Sequence, residues 1–257
     1  IKVLLVNCFY DLLMNAGCRQ ATAWDEATND GKLIHARNLD WHDWDDVLRT
    51  TNVVLIRKYD KDNSIATLTW PGLMGALTGC NDKGITVAYN QIHDSEMEFS
   101  GEPIFLILRR VLRKAKNIDE AVDIIKKSYY CTPGSIMISS SSEKTAVVVK
   151  LIKNKMLVRK PEKDLFIVND NTCYFEQNEK FCSDKYSSSP VYLTVKESLN
   201  QKKLDVDEMK SIMADDKVLM SINILTSIFV LEDDSLYLAC GKYKAAKGLY
   251  HKISIFK

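Results

Sequence analysis

The chain predicts an α+β fold in which helices pack on the outer faces of two mainly antiparallel sheets, an αββα sandwich. Three observations carry that prediction. Short β-branched runs bounded by turn residues crowd the sequence, helical periodicity is confined to two pairs of segments, and the order runs strands, helix pair, strands, helix pair, strands. The strand runs fall at 32–37, 53–59, 64–70, 84–88, 136–140, 146–152, 165–168, 222–231, 235–239 and 249–255. Between them lie hairpin-like turns such as Asp60-Lys61-Asp62-Asn63, Asn81-Asp82-Lys83-Gly84 and Glu232-Asp233-Asp234, which favour antiparallel pairing. For the first helix pair, Ile118, Ala121, Val122 and Ile125 recur at helical spacing behind an Asn117 N-cap, with Glu120 three residues on. Segment 103–114 precedes it, with Pro103 at its start and a wide apolar stripe; segments 191–199 and 206–213 form the second pair.

With 257 residues and 46% hydrophobic content the chain can bury a substantial core. We read one domain over 18–257, with 1–17 a propeptide remnant or N-terminal strand. The first residue is Ile1 rather than Met, which suggests that an upstream piece is missing, and 1–16 lacks the order of a signal peptide. Thirty-five Lys and Arg against 34 Asp and Glu leave a formal charge of +1 without a basic or acidic block, so no nucleic-acid or anionic-membrane partner is expected. No stretch approaches the ~20 apolar residues of a membrane span. The seven cysteines (8, 18, 80, 131, 173, 182, 240) are scattered and form no C-x-x-C pair. That argues against a disulfide framework or a zinc cage, and leans toward a reducing, cytoplasmic setting without deciding location. Phosphate-binding glycine loops and His/Glu metal motifs are missing, so no cofactor or metal is expected; a homo-oligomer is compatible with the sequence.

One stretch carries chemistry. Gly17-Cys18 is followed by Asp30-Gly31-Lys32-Leu33-Ile34-His35-Ala36-Arg37-Asn38-Leu39-Asp40-Trp41. A turn at Asp30-Gly31 would pair 18–24 with 32–37 and bring Arg37, Asn38 and Asp40 back beside Cys18. If the bond before Cys18 is cut, the freed α-amine, with a pKa near ~7.7–8.0, can serve as base for the thiol. Arg37 would then favour the thiolate, and Asp40 would orient the α-ammonium and hold the arginine. Small Gly17 suits a precursor bond attacked by the neighbouring thiol. His35 alternates onto the same face as Arg37 and is a candidate to approach the site; His42, His93 and His251 carry no protease-like signature. Trp41, Trp44, Trp70 and Tyr89 read as core, with some able to line an acyl pocket.

Gly17-Cys18 and the DGK-L-I-H-A-RNLDW run resemble the acyl-coenzyme A:6-aminopenicillanate (isopenicillin-N) acyltransferase-like branch of the N-terminal nucleophile (Ntn) hydrolases, with penicillin V acylase, bile salt hydrolase and acid ceramidase as more distant relatives. The resemblance continues through Leu68-Thr69-Trp70-Pro71-Gly72, Gly79-Cys80-Asn81-Asp82-Lys83-Gly84-Ile85, Gly101-Glu102-Pro103 and the 221–241 strand pair. It implies Cys18 as nucleophile, Arg37 and Asp40 as its partners, and Asn90 as an oxyanion donor. It also implies a second asparagine, fitted best by Asn171, with Asn169 as the alternative. The implied activity is hydrolysis of an N-acyl small molecule through an acyl-enzyme on Cys18. An acyltransferase using the same intermediate and an unprocessed, catalytically silent homologue are the alternatives. Two departures stand out: Ser187-Ser188-Ser189-Pro190-Val191-Tyr192 lacks the arginine common in relatives, and Thr172-Cys173 replaces their aromatic or His partner.

Overall fold

The structure is a computed structural model that describes residues 7, 17–43, 46–92, 100–152, 155–161, 163–170 and 189–257. Among the described residues the strands form two sheets, and every pairing within them is antiparallel. The first sheet contains β1 (Gly17–Asp25), β2 (Gly31–Asp40), β10 (Phe166–Asn169), β11 (Asn223–Val230), β12 (Ser235–Cys240) and β13 (His251–Ser254), in the order β10-β1-β2-β11-β12-β13. The second runs β3 (Val53–Arg57), β4 (Ile65–Thr69), β5 (Thr78–Asn81), β6 (Ile85–Gln91), β7 (Gly134–Ser140), β8 (Thr145–Ile152) and β9 (Lys155–Arg159), in sequence order.

After a single-turn helix α1 (Val47–Thr50), the long helices come in two pairs. Helices α2 (Ile104–Lys114) and α3 (Ile118–Lys126) pack on the second sheet; α4 (Pro190–Gln201) and α5 (Val206–Ala214) pack on the first. The result is the predicted helix–sheet–sheet–helix stack. Local chemistry sets the helix starts. The Asn117 side chain accepts the Glu120 N–H at 2.8 Å while the Glu120 carboxylate reaches back to the Lys116 N–H, also at 2.8 Å. Asp205 caps α5 by accepting from Glu208, and Pro190 occupies the first turn of α4 behind a Ser189 cap.

Strand alternation distributes the β1/β2 hairpin between two environments. Ala21, Ala23, Ile34 and Ala36 face outward, into a core shared with Val191, Val195, Met209 and Met213 of α4 and α5. Cys18, Gln20, Thr22 and Trp24 of β1, with Leu33, His35, Arg37 and Leu39 of β2, face the second sheet. Two strands went unread in the sequence. The strand β5 is four residues long and holds Gly79, where a Cβ would stand 2.4 Å from the Ala66 carbonyl oxygen. The other, β9, is an edge strand with Lys and Arg at its ends.

Among the described residues no helix is long and apolar enough to cross a membrane, and no three His, Cys, Asp or Glu side chains gather as a metal site. The cysteines at 18, 80, 131 and 240 are free thiols, the first three buried and Cys240 exposed. Of the propeptide remnant or N-terminal strand expected over 1–17, residues 1–6 and 8–16 lie outside the described residues, as do Trp44, His93, Asn171, Cys173 and Cys182.

Candidate active site

The hairpin register places Gly17 opposite Asp40, Cys18 opposite Leu39 and Gln20 opposite Arg37. Cys18 and Arg37 are therefore near neighbours on the inward face, and both are fully buried. The Arg37 guanidinium donates from Nη2 to Cys18 Sγ at 3.1 Å and to the Tyr89 carbonyl at 2.8 Å, and from Nη1 to the Thr78 hydroxyl. Burial pushes the Cys18 thiol up; the Arg37 charge pulls it back and the Asp40 charge adds to the rise.

Asn90, at the end of β6, crosses the inter-sheet space. Its side-chain Nδ2 donates to the Cys18 carbonyl at 3.3 Å and to the Asn169 carbonyl at 3.2 Å. Its Oδ1 accepts from Gln20 Nε2. Asn169 Nδ2 donates to Gln20 Oε1 at 3.3 Å, and the Ser135 hydroxyl donates to Asn169 Oδ1. Among the described residues the two asparagine amides at this point are thus Asn90 and Asn169, whereas Asn171 falls beyond them.

The geometry corrects one expectation. Asp40 does not hold Arg37, and no ion pair joins them among the described residues. Three residues apart on one strand, the two side chains leave opposite faces, so the guanidinium turns to Thr78, Tyr89 and Cys18. Asp40 is fully buried, and among the described residues neither of its oxygens meets a well-formed hydrogen bond. Burial pushes its carboxyl up to about 7, against the lowering effect of the Arg19 charge, the neighbouring Asn223 amide and Arg37. Asn223 spends its amide hydrogens on the carbonyls of Leu39 at 3.3 Å and Leu225 at 3.1 Å. Arg19 also donates from Nη1 to the Cys18 carbonyl at 3.3 Å.

His35 does not reach Cys18. Its Nδ1 pairs with the Ser139 hydroxyl at 2.8 Å and its ring stands edge-on to Phe229, while burial, aided by the Arg37 charge, pushes its pKa down to about 3. It is a neutral core histidine. Trp41 and Trp70 pack edge to face with centroids 6.1 Å apart, as core residues. Tyr89 lies against Gly134, where an added Cβ would stand 2.0 Å from the ring, and its hydroxyl donates to the Pro133 carbonyl at 2.7 Å.

Thr78, Gln20, Ser135 and Arg19 touch this constellation and were not singled out in the sequence. Gln20 alone carried a signal, since it lies two residues from Cys18 on the same strand and so shares its face.

The comparisons with known proteins agree with this architecture. A family model described as acyl-coenzyme A:6-aminopenicillanic acid acyl-transferase matches residues 27–242, a stretch that holds Arg37, Asp40 and Asn90 and begins after Cys18. Protein dcd1B of Dictyostelium discoideum is 26% identical over 152 residues, 58% of this chain. Protein dcd1A of the same organism is 29% identical over 133 residues, 48% of this chain. In each case the match spans 30% of the relative's own length.

Solved structures share the fold at low identity. The Caenorhabditis elegans ortholog of N-acylethanolamine-hydrolyzing acid amidase superposes with a TM-score of 0.66 at 22% identity, over 83% of this chain and 92% of that one. A mutant of conjugated bile acid hydrolase from Clostridium perfringens gives 0.66 at 15% identity, over 92% of both chains. Penicillin V acylase from Agrobacterium tumefaciens gives 0.58 at 15%, over 92% of this chain and 91% of that one. With its two antiparallel sheets between helix pairs and a family match over most of its length, the chain belongs to the acyl-coenzyme A:6-aminopenicillanic acid acyl-transferase family and has the Ntn-hydrolase fold.

Proposed function

We propose that the protein is a cysteine amidohydrolase acting on the carbon–nitrogen bond of an N-acyl small molecule, with Cys18 as nucleophile once the Gly17–Cys18 bond is cut. The observation that carries this reading is the fully buried Arg37 guanidinium donating to Cys18 Sγ at 3.1 Å, beside an Asn90 amide aimed at the same residue. A buried thiol resists ionisation, and a fixed cation at hydrogen-bond distance is what makes the thiolate accessible.

Cutting frees the Cys18 α-amine. The buried Asp40 carboxylate, opposite Gly17 in the strand register and without a well-formed hydrogen bond among the described residues, fits the resulting ammonium as its partner. In the reaction, the amine takes the thiol proton as sulfur bonds to the substrate carbonyl carbon. Asn90, with Asn171 as the proposed second donor, stabilises the oxyanion. Collapse expels the leaving amine with that proton and leaves a thioester. Water then hydrolyses the thioester: the α-amine takes one proton from the water as its oxygen bonds to the acyl carbon, and passes that proton to the departing thiolate. An amine in place of water would give acyl transfer, the activity named in the family's description.

Intact-mass analysis and a panel of chromogenic N-acyl compounds test this reading. The expected result is a species beginning at Cys18, absent in Cys18→Ala, together with turnover abolished by thiol alkylation. Uniformly uncut wild-type protein without thiol-dependent amidase activity would sink it and leave a silent homologue.

A further inference from the structure

We propose that Gln20 is a positioning residue, the middle of a one-way hydrogen-bond chain that holds the Asn90 amide with its N–H groups toward Cys18. This inference rests on the amidase reading above. The chain draws one side chain from each of four strands: Ser135 on β7, Asn169 on β10, Gln20 on β1 and Asn90 on β6. Gln20 faces Asn169 across the first sheet, and Asn90 faces Ser135 across the second. Gln20 and Asn90 are fully buried, Ser135 and Asn169 nearly so, which shields the chain from solvent.

Its direction follows from its ends. Asn90 lies against two backbone carbonyls, of Cys18 and Asn169, and a carbonyl can only accept. Asn90 must therefore turn its NH2 to them and its oxygen to Gln20. Gln20 must meet that oxygen with its own NH2, which leaves its oxygen for the NH2 of Asn169. The Asn169 oxygen then takes the hydroxyl proton of Ser135, the one member free to rotate into either role. No amide in the series can flip without breaking the bonds of its neighbours.

The consequence for the reaction is specific. An Asn90 free to flip would present an oxygen, and so repulsion, to a developing oxyanion. With Gln20 holding that oxygen, only N–H is offered. The bonds to the two carbonyls, at 3.3 and 3.2 Å, are long enough that a shorter one to an oxyanion would displace them.

The test compares Gln20→Glu and Gln20→Met with wild type. An ionised Glu only accepts, so it demands the NH2 of Asn90 and reverses it; Met removes the hold without reversing it. We expect kcat to fall about 100-fold in Gln20→Glu and about 10-fold in Gln20→Met, with KM changing less than about threefold. Alkylation of Cys18 by iodoacetamide, which builds no oxyanion, should stay within about twofold of wild type. If Gln20→Glu fails to fold, Gln20→Met carries the test alone. A kcat within twofold of wild type in a folded variant overturns the proposal and leaves the amidase reading intact. If wild type itself shows no turnover, the amidase reading falls, and the side-chain 15N–1H resonances of Asn90 decide the orientation. Exchange-protected in wild type and altered in either variant supports the chain; identical spectra in all three overturn it.

Discussion

The β1/β2 hairpin passes through two chemically opposite ends of one inter-sheet space. Near its turn, Trp24 and Leu33 pack with Met137, Ala146, Val148 and Ile167, and burial is achieved by filling volume. At the far end Gln20 and Arg37 occupy the same strand face, and burial is achieved by matching donors to acceptors. Thr22 and His35 form the border row, the first bonded to the Met137 sulfur and the second to Ser139. Both ends belong to one antiparallel pair, whose register shifts between Ala23 and Asp25, and their side-chain chemistry separates them. The apolar end should therefore govern stability, and the polar end turnover.

The largest effect is expected at the polar end. Arg37→Met should lower turnover about a thousandfold, because the thiol then faces its desolvation without a cation. Stopped-flow alkylation rates against pH would show the Cys18 thiol titrating higher. Trp24→Ala should reduce stability by about 4 kcal/mol in urea titration while leaving kcat per folded molecule unchanged. A tenfold drop in kcat would show instead that the two ends are coupled.

The border row yields a pH effect. His35 is held neutral in the fold, with a pKa of about 3 against an ordinary 6.5, so its contribution is complete above pH 6.5 and is lost as pH falls toward 3. His35→Gln keeps a partner for Ser139 and removes the titration. Between pH 7 and pH 4 the variant should lose roughly 3 kcal/mol less stability than wild type. Equal acid sensitivity of the two proteins would place the acid-labile group elsewhere.

Asp40 gives the smallest effect and the opposite sign. Its folded pKa of about 7 exceeds the ordinary 3.8, so the uncut chain loses stability as pH rises through that interval. In an uncut Cys18→Ala background, Asp40→Asn should therefore stabilise the protein by roughly 2 kcal/mol at pH 8. On the proposed reading the α-ammonium of the cut protein would partner Asp40, and there the same change should give no such gain. Thermal melts of both forms separate the two cases.

The contrast also explains what a single sequence discloses. The layer order was legible because helical and strand periods are local, and the Asp30-Gly31 turn brought Cys18 and Arg37 together on paper. Asn90 follows from the resemblance, and its side-chain amide donates to the Cys18 carbonyl. Thr78 and Ser135 were not legible, because nothing local states which residues of two stacked sheets meet. Nearness in sequence alone suggests that Asp40 holds Arg37, whereas the alternation of faces along β2 sends the two side chains to opposite sides. The strand β5 was missed because Gly79, needed for close approach to Ala66, weakens the pattern that would announce it.

Gly134 has a practical consequence for screens of variants. A methyl group there would displace the Tyr89 ring, and with it the carbonyl that anchors the guanidinium of Arg37. A random library should accordingly yield inactive clones at a residue that has no side chain and carries no charge. Their defect would be cured by trimming Tyr89 to Leu, and such suppressor pairs would trace the site's supports without a ligand or an inhibitor in hand.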